Sequence, residues 1–410
     1  MLKRLGAVAL AFVGVAGIAL AVGSRVDGAP GADPAGFTVH EWGTFTSIAG
    51  SDGQAVQWRP LTGPSDLPCF VTALNPNSVK IGPGGIPGLK ATVRMETPVL
   101  YFYSATEQTV RASVTFYQGI ISEWYPQARV GPVAPIPTMA NALGRIQWDD
   151  VKIRPGAKED YPVEPGESHY YAARATDAAP LVVGGQQEKF LFYRGLATFP
   201  LLVGATVNRD GNIAMTQSGD RAIETVILFE RRGGRFGYRL VRAEGKDVVI
   251  DRPQLNASME SMRQELQALL IEKGLYPREA AAMVETWRDS WFEDGARLFY
   301  LLPQSATDAL LPLTIEPKPA SVARVFVGRL EIVTPEIESE VANAIRANDR
   351  TVLRKYGRFL EPISQIVEGK LAASLDERKV EAAVRTVAEQ HGRPAACGAA
   401  GAKAVANPIP

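Results

Sequence analysis

The sequence predicts an α+β protein: one β-rich domain over residues 37–333, made of a predominantly antiparallel, β-sandwich-like region at 37–251 and an α+β segment at 255–333, followed by a small helical appendage over 334–392. Three observations predict it. From Phe37 to about Asp251 apolar residues recur at every second position, after Pro253 they recur at every third or fourth, and Thr334-Pro335-Glu336 opens a further helical stretch.

The chain starts with Lys3 and Arg4 ahead of an uncharged run from Leu5 to Gly23, and Ser24, Arg25 and Asp27 return it to water. That is the layout of a secretory signal peptide, so residues 1–24 read as a signal peptide or, if uncleaved, as a membrane anchor formed by residues 5–23. Gly6, Gly14 and Gly17 weaken the anchor, since each costs a helix about 1 kcal/mol relative to alanine.

Strands are expected at 37–48, 55–60, 95–103, 109–117, 145–153, 188–194 and 200–207. In Thr109–Tyr117, Val110, Ala112, Val114 and Phe116 alternate with Arg111, Ser113, Thr115 and Tyr117, which puts one face on a core. Arg232-Gly233-Gly234-Arg235 has the turn chemistry of a hairpin, so 223–230 and 236–243 should pair antiparallel, and Asp52-Gly53 and Asp210-Gly211 mark two further turns. Ile81–Gly88 and Gly131–Pro137 read as long surface loops.

Met259–Lys273 should be a helix stopped by Gly274, and Pro277 should open a second one running to about Asp294. On that helix Ala280, Val284, Trp287 and Trp291 form one apolar stripe. Glu285, Asp289 and Glu293 then take the solvated face, and Asp294 alone turns toward the apolar side. Strands at 296–302 and 322–333 with a short helix near 305–310 complete this segment. Helices near 335–347, 349–372 and 376–390 follow, and the Ala/Gly/Pro-rich stretch 393–410 reads as a disordered tail.

Over 410 residues, 44 basic and 44 acidic side chains balance, which argues against nucleic acid as a partner. With 46% hydrophobic and 21% charged residues the chain is no polytopic membrane protein, so membrane contact is expected only through the N-terminal segment. Two cysteines exclude a disulfide-dense scaffold and a four-thiolate zinc site, and whether Cys69 and Cys397 pair is left open by the sequence.

The three histidines, His40, His169 and His391, have no metal-ligand spacing, and His40-Glu41 departs from a zinc-protease signature because Thr44 stands where the second histidine is required. No nucleophile elbow, phosphate loop or dinucleotide fingerprint is present, so neither a metal nor a cofactor is indicated. What remains is a set of acids beside aromatics, from which Glu41, Glu96, Asp289 and Asp294 are candidate catalytic carboxylates. Glu96 is also expected to point inward and pair with Arg94 or another arginine across the sheet. His40 and Trp42, on one strand face with Thr38, Thr44 and Thr46, are the first candidates for a binding surface. Asp149-Asp150 and the 289–294 acids are alternative structural calcium sites, although neither has an EF-hand spacing.

The opener Val39-His40-Glu41-Trp42-Gly43-Thr44-Phe45-Thr46-Ser47, with Arg94–Tyr103 and Trp287–Phe292, resembles an uncharacterised family of exported bacterial proteins, over most of residues 37–333. The resemblance implies a periplasmic or extracellular setting and carries over no activity, substrate or functional residue. Two functions are therefore expected in competition: a non-catalytic protein binding an envelope component, glycan or protein, and a secreted carboxylate-dependent hydrolase acting on glycans.

Overall fold

The computed structural model describes residues 36–61, 67–74, 89–131, 139–166, 168–219, 222–370 and Ala382. The signal segment, the loop at 81–88, the C-terminal tail, Cys397 and all of the 376–390 helix but Ala382 lie outside the described residues. The protein is mixed α and β, with strand outweighing helix, large sheets and a few C-terminal helices.

The organising strand is β1 (Thr38–Ala49). It pairs in parallel along its whole length with β18 (Ser321–Ile332), from Thr38 opposite Ser321 to Ala49 opposite Ile332, and antiparallel with β3 (Val93–Tyr103) on its other edge. A parallel pair in mid-sheet is covered on both faces, and every residue of β1 after Thr38 is buried. The polar–apolar alternation of β1 therefore records two differently lined interiors rather than inside and outside.

From β18 the sheet continues through β16 (Gly295–Leu301) and β13 (Thr225–Arg232) to the edge strand β14 (Arg235–Arg242). From β3 it runs through β10 (Leu191–Ala197), β5 (Gly119–Tyr125), β7 (Leu143–Ile153) and β4 (Gln108–Tyr117) to β17 (Leu313–Glu316). Short strands extend it: β2 (Thr72–Ala73) on β5, β6 (Arg129–Gly131) and β8 (Leu181–Val183) on β7, and β9 (Gln186–Glu188) on β8. A second sheet of three strands comprises β11 (Val203–Val207), β12 (Ile213–Gln217) and β15 (Asp247–Ile250). The 225–242 hairpin forms as expected, with Gly233 and Gly234 at positive φ in its turn. The strand expected at 55–60 is reduced to isolated bridges, Ala55 to Ala49 and Trp58 to Ala91.

The sequence places a β-sandwich-like region at 37–251 ahead of helices and strands at 255–333 within one domain, but the sheet does not keep that order. β16 and β18 lie between β13 and β1, so late strands fill the middle of the early sheet. Pairing is decided by long-range packing, which a period-two pattern does not encode.

One face of the large sheet carries Val39, Phe45, Leu100, Phe102, Leu298 and Leu330, in one core cluster with Val203, Ile213, Met215 and Ile250 of the small sheet. The opposite face carries Trp42, Val99, Tyr101, Phe192, Phe229 and Phe299, which pack on the helices α1 (Met259–Glu272), α2 (Pro277–Thr286) and α3 (Arg288–Trp291). After α4 (Gln304–Leu310), the C-terminal helices α5 (Pro335–Ala347), α6 (Arg350–Arg354) and α7 (Leu360–Lys370) enclose a third cluster with Ile48 and Trp58.

Two long helices expected from the sequence are broken. The 277–294 helix is interrupted at Trp287, whose φ of −105° and ψ of 7° leave the helical range. Trp287 and Trp291 nonetheless stack with ring centroids 6.1 Å apart and 9° between planes, buried as the apolar stripe requires. The 349–372 helix divides at Gly357, whose φ of +47° lies in the left-handed region that glycine tolerates. No helix among the described residues is long and apolar enough to cross a membrane.

Candidate functional site

His40 and Trp42 do not form a surface. Trp42 is fully buried against Tyr101, ring centroids 6.0 Å apart, and His40 is only 4% exposed. The helices of residues 259–291 cover this strand face, which the polar composition of β1 concealed. His40 Nδ1 lies 2.6 Å from Glu279 Oε2, a buried contact that joins β1 to α2. Glu279 Oε2 also accepts from the Tyr276 backbone N–H at 2.8 Å, so the same carboxylate caps α2 and ties it to β1. Tyr276 and Tyr103 flank the imidazole, with centroids 4.4 and 5.2 Å away.

Glu41 points to the opposite face and is equally enclosed. Its Oε1 accepts from Tyr193 Oη and its Oε2 from Arg324 Nε, each at 2.6 Å, and Arg324 Nη1 also donates to Asp308 at 2.8 Å. Burial, together with the Glu41 charge, holds the Tyr193 phenol well above the ordinary tyrosine range. The side chains of Glu41 and Arg324 are 0% and 1% exposed, so this is a structural ion pair with no approach for a substrate.

Glu96 does point inward, but its cation is Arg358, reaching back from the turn between α6 and α7, and not Arg94. Thr46 Oγ1 donates to Glu96 Oε2 at 2.5 Å. Burial pushes the Glu96 carboxyl up, but Arg358, Arg329, the Thr46 hydroxyl and Arg194 together bring it below the usual range. Arg94 instead pairs with Glu123 at 3.0 Å, and that carboxyl too is held low, burial being outweighed by Arg94 and Arg194.

The charged seam continues along the sheet. Arg329 Nε meets Glu331 at 2.6 Å and its Nη2 meets Glu293 at 2.5 Å, while Arg297 shares Glu331 at 2.9 Å. Arg297 also donates to the carbonyls of Trp291, Glu293 and Asp294, satisfying the open C-terminal end of α3. Register shifts in the pairing of β3 with β1 and β10 bracket Thr97, a β-branched residue at φ +47° whose hydroxyl accepts from Arg194 Nη2 at 3.1 Å.

The two remaining candidates are peripheral. Asp289, on α3, is largely exposed and meets His169 Nε2 at 3.0 Å and Arg288 Nε at 3.5 Å. Asp294 does not turn to the apolar side. It sits half-exposed at the rim, 3.3 Å from Arg231 Nε, because the break at Trp287 alters the helical phase. No two of Glu41, Glu96, Asp289 and Asp294 share a side-chain partner, and each faces a cation.

The 161–188 region holds a group that the sequence reading missed. Arg174 makes a fork of hydrogen bonds to buried Glu188, at 2.9 and 2.7 Å, and lies over the rings of Tyr161, Tyr170 and Tyr171. Burial raises the Glu188 carboxyl despite Arg174. Nothing in an irregular stretch with one short 3-10 turn signals this convergence.

A groove of about 640 Å³ opens beside β7, lined among others by Gln127, Arg129, Gln147, Asp149, Asp150 and Lys152 and closed by the Gly184-Gly185 turn. It follows a bulge: Val110 opposes Val151 and Ala112 opposes Trp148, so Asp149 and Asp150 together oppose Arg111 alone. Both Asp149 oxygens are engaged, Oδ1 by Arg111 Nε and Gln147 Nε2 at 2.9 and 2.8 Å, Oδ2 by Arg129 Nη2 at 2.7 Å. Burial pushes its carboxyl up and Gln147, Arg111 and Arg129 bring it net below the usual range. No group of three or more His, Cys, Asp or Glu among the described residues could hold a metal. Cys69 is disulfide-bonded, and the chain's other cysteine, Cys397, is outside the described residues.

No protein-family model matches the chain, and no curated protein matches it.

Proposed function

We propose that this is an exported, non-catalytic binding protein of the bacterial envelope, acting in the periplasm or outside the cell, with the groove beside β7 as its ligand face. The observation that carries the reading is a contrast: the acids available for catalysis are held by cations, whereas the groove has ligand-sized volume and polar walls. The engaged state of Cys69 supports an oxidising compartment. The small sheet over the β1–β18 pair is read as the second layer of a β-sandwich-like arrangement.

The rival, a carboxylate-dependent glycan hydrolase, needs an acid with a raised pKa facing an ionised partner across the scissile bond. Glu96 is shifted the wrong way for that acid. The experiment is a turnover panel of glycans, esters and peptides with the mature protein, alongside Glu41→Gln and Glu96→Gln. No turnover is expected. Turnover abolished by either substitution in a protein that still folds would overturn the reading.

A further inference from the structure

Asp150 differs from its neighbour in the bulge. It is exposed on the groove wall at φ +51°, and with Asp149 occupying Arg111 and Arg129 it has no ion-pair or hydrogen-bond partner among the described residues. Left-handed backbone is strained at a non-glycine residue, less so at Asp, and a bulge re-aims a side chain. Lys152, two residues on, lines the same groove and likewise has no partner among the described residues. Arg129, which also lines the groove, spends Nη2 on Asp149 while its side chain remains partly exposed. The groove thus offers an unmatched anion and an unmatched cation beside a partly exposed guanidinium within one cavity.

Two residues along a strand put the Cα atoms at most about 6.6 Å apart, and the Lys152 stem adds several ångströms of reach, so the two charges can meet the termini of an extended di- or tripeptide, about 7–11 Å apart, which is longer than the charge separation of a single amino acid. The lining includes no aromatic ring on which a sugar could stack, but it has the side-chain amide of Gln127, which suits peptide N–H and C=O groups. We infer that the groove binds short linear peptides with free termini, the ammonium at Asp150 and the carboxylate at Lys152 and Arg129. This rests on the groove being the ligand face.

The test is calorimetric titration of the full mature chain with trialanine, with N-acetyl-trialanine, with trialanine amide, with alanine and with a panel of neutral oligosaccharides. Asp150→Asn keeps a residue that tolerates left-handed backbone, and Lys152→Gln is on the surface, so both variants should fold. Trialanine should bind, and each substitution should weaken it about tenfold. Acetylation should erase the effect of Asp150→Asn, amidation that of Lys152→Gln, and alanine should bind more weakly than trialanine. Doubly insensitive binding, or absence of trialanine binding, would overturn the peptide assignment. In that event an oligosaccharide whose binding is lost in the groove-filling variant Thr109→Trp would leave the groove reading standing. If no ligand of either class responds to Thr109→Trp, both fail.

Discussion

Replacing Arg324 by Met strands the carboxylate of Glu41 between two packed layers, and the size of the resulting loss separates a structural from a catalytic Glu41. Both side chains are essentially inaccessible and the contact is 2.6 Å. Charges about 4 Å apart attract by about 4 kcal/mol at an effective dielectric near 20. Removing one member of a buried pair typically costs about 3–5 kcal/mol, because the survivor stays desolvated. Tyr193 still donates to Oε1, so the lower part of that range, about 3–4 kcal/mol, is expected for Arg324→Met. Glu41→Leu should cost about as much, since it orphans the Tyr193 hydroxyl and leaves Arg324 only the half-exposed Asp308. The triple variant Glu41→Leu/Arg324→Met/Tyr193→Phe removes the three buried partners at once, leaving only the half-exposed Asp308, and should recover to within about 2 kcal/mol of the parent. Urea denaturation, followed by tryptophan fluorescence at pH 7, supplies the comparison. A loss below about 1 kcal/mol for Arg324→Met, or a triple variant as unstable as the sum of its parts, would refute the assignment of this pair to the core.

Glu96 and Glu123 have carboxyls lowered in the folded state, so the unfolded chain binds their protons first as pH falls; their stabilisation is complete above the ordinary carboxyl value of about 4.3 and is lost as pH drops through the lowered folded values. Glu96→Gln should flatten the fall in denaturation midpoint between pH 5 and pH 3 relative to the parent, and an unchanged slope would count against the Arg358 contact. At Gly328 an added Cβ would lie 2.1 Å from Cζ of buried Tyr300, directly opposite in β16, so Gly328→Ala should cost about 1–3 kcal/mol in the same urea assay. Trp291→Ala should cost about 3–5 kcal/mol, whereas Trp291→Phe should retain most of the packing on Phe299. Cys69 should resist alkylation in the unfolded, unreduced protein and react after reduction, as read by peptide mass.

Several elements were legible because their causes are local. Alternation at 109–117, the Gly233-Gly234 turn, Gly274 after α1, Pro277 at the start of α2 and Thr334-Pro335 before α5 each act through a few bonds, and each forms close to where the pattern places it. The burial of Trp287 and Trp291 was legible for the same reason, since a stripe at helical spacing survives a one-residue break.

The candidate site was much less legible. His40 and Trp42 look polar-faced in β1, yet helices more than two hundred residues later cover them, and Asp294 changes environment with a single non-helical residue. Arg94 is near Glu96 in sequence, but Arg358 takes the carboxylate from 262 residues away, and Arg324 reaches Glu41 across 283. Composition and local period thus determined the element types, most turns and the lack of familiar catalytic motifs. Only tertiary structure decided that the two ends of the domain meet in one parallel pair, which acids are neutralised and which remain open to a ligand. The reason is physical: backbone preferences are set within a turn or two, whereas a buried charge must find whichever partner the assembled layers bring within hydrogen-bonding distance.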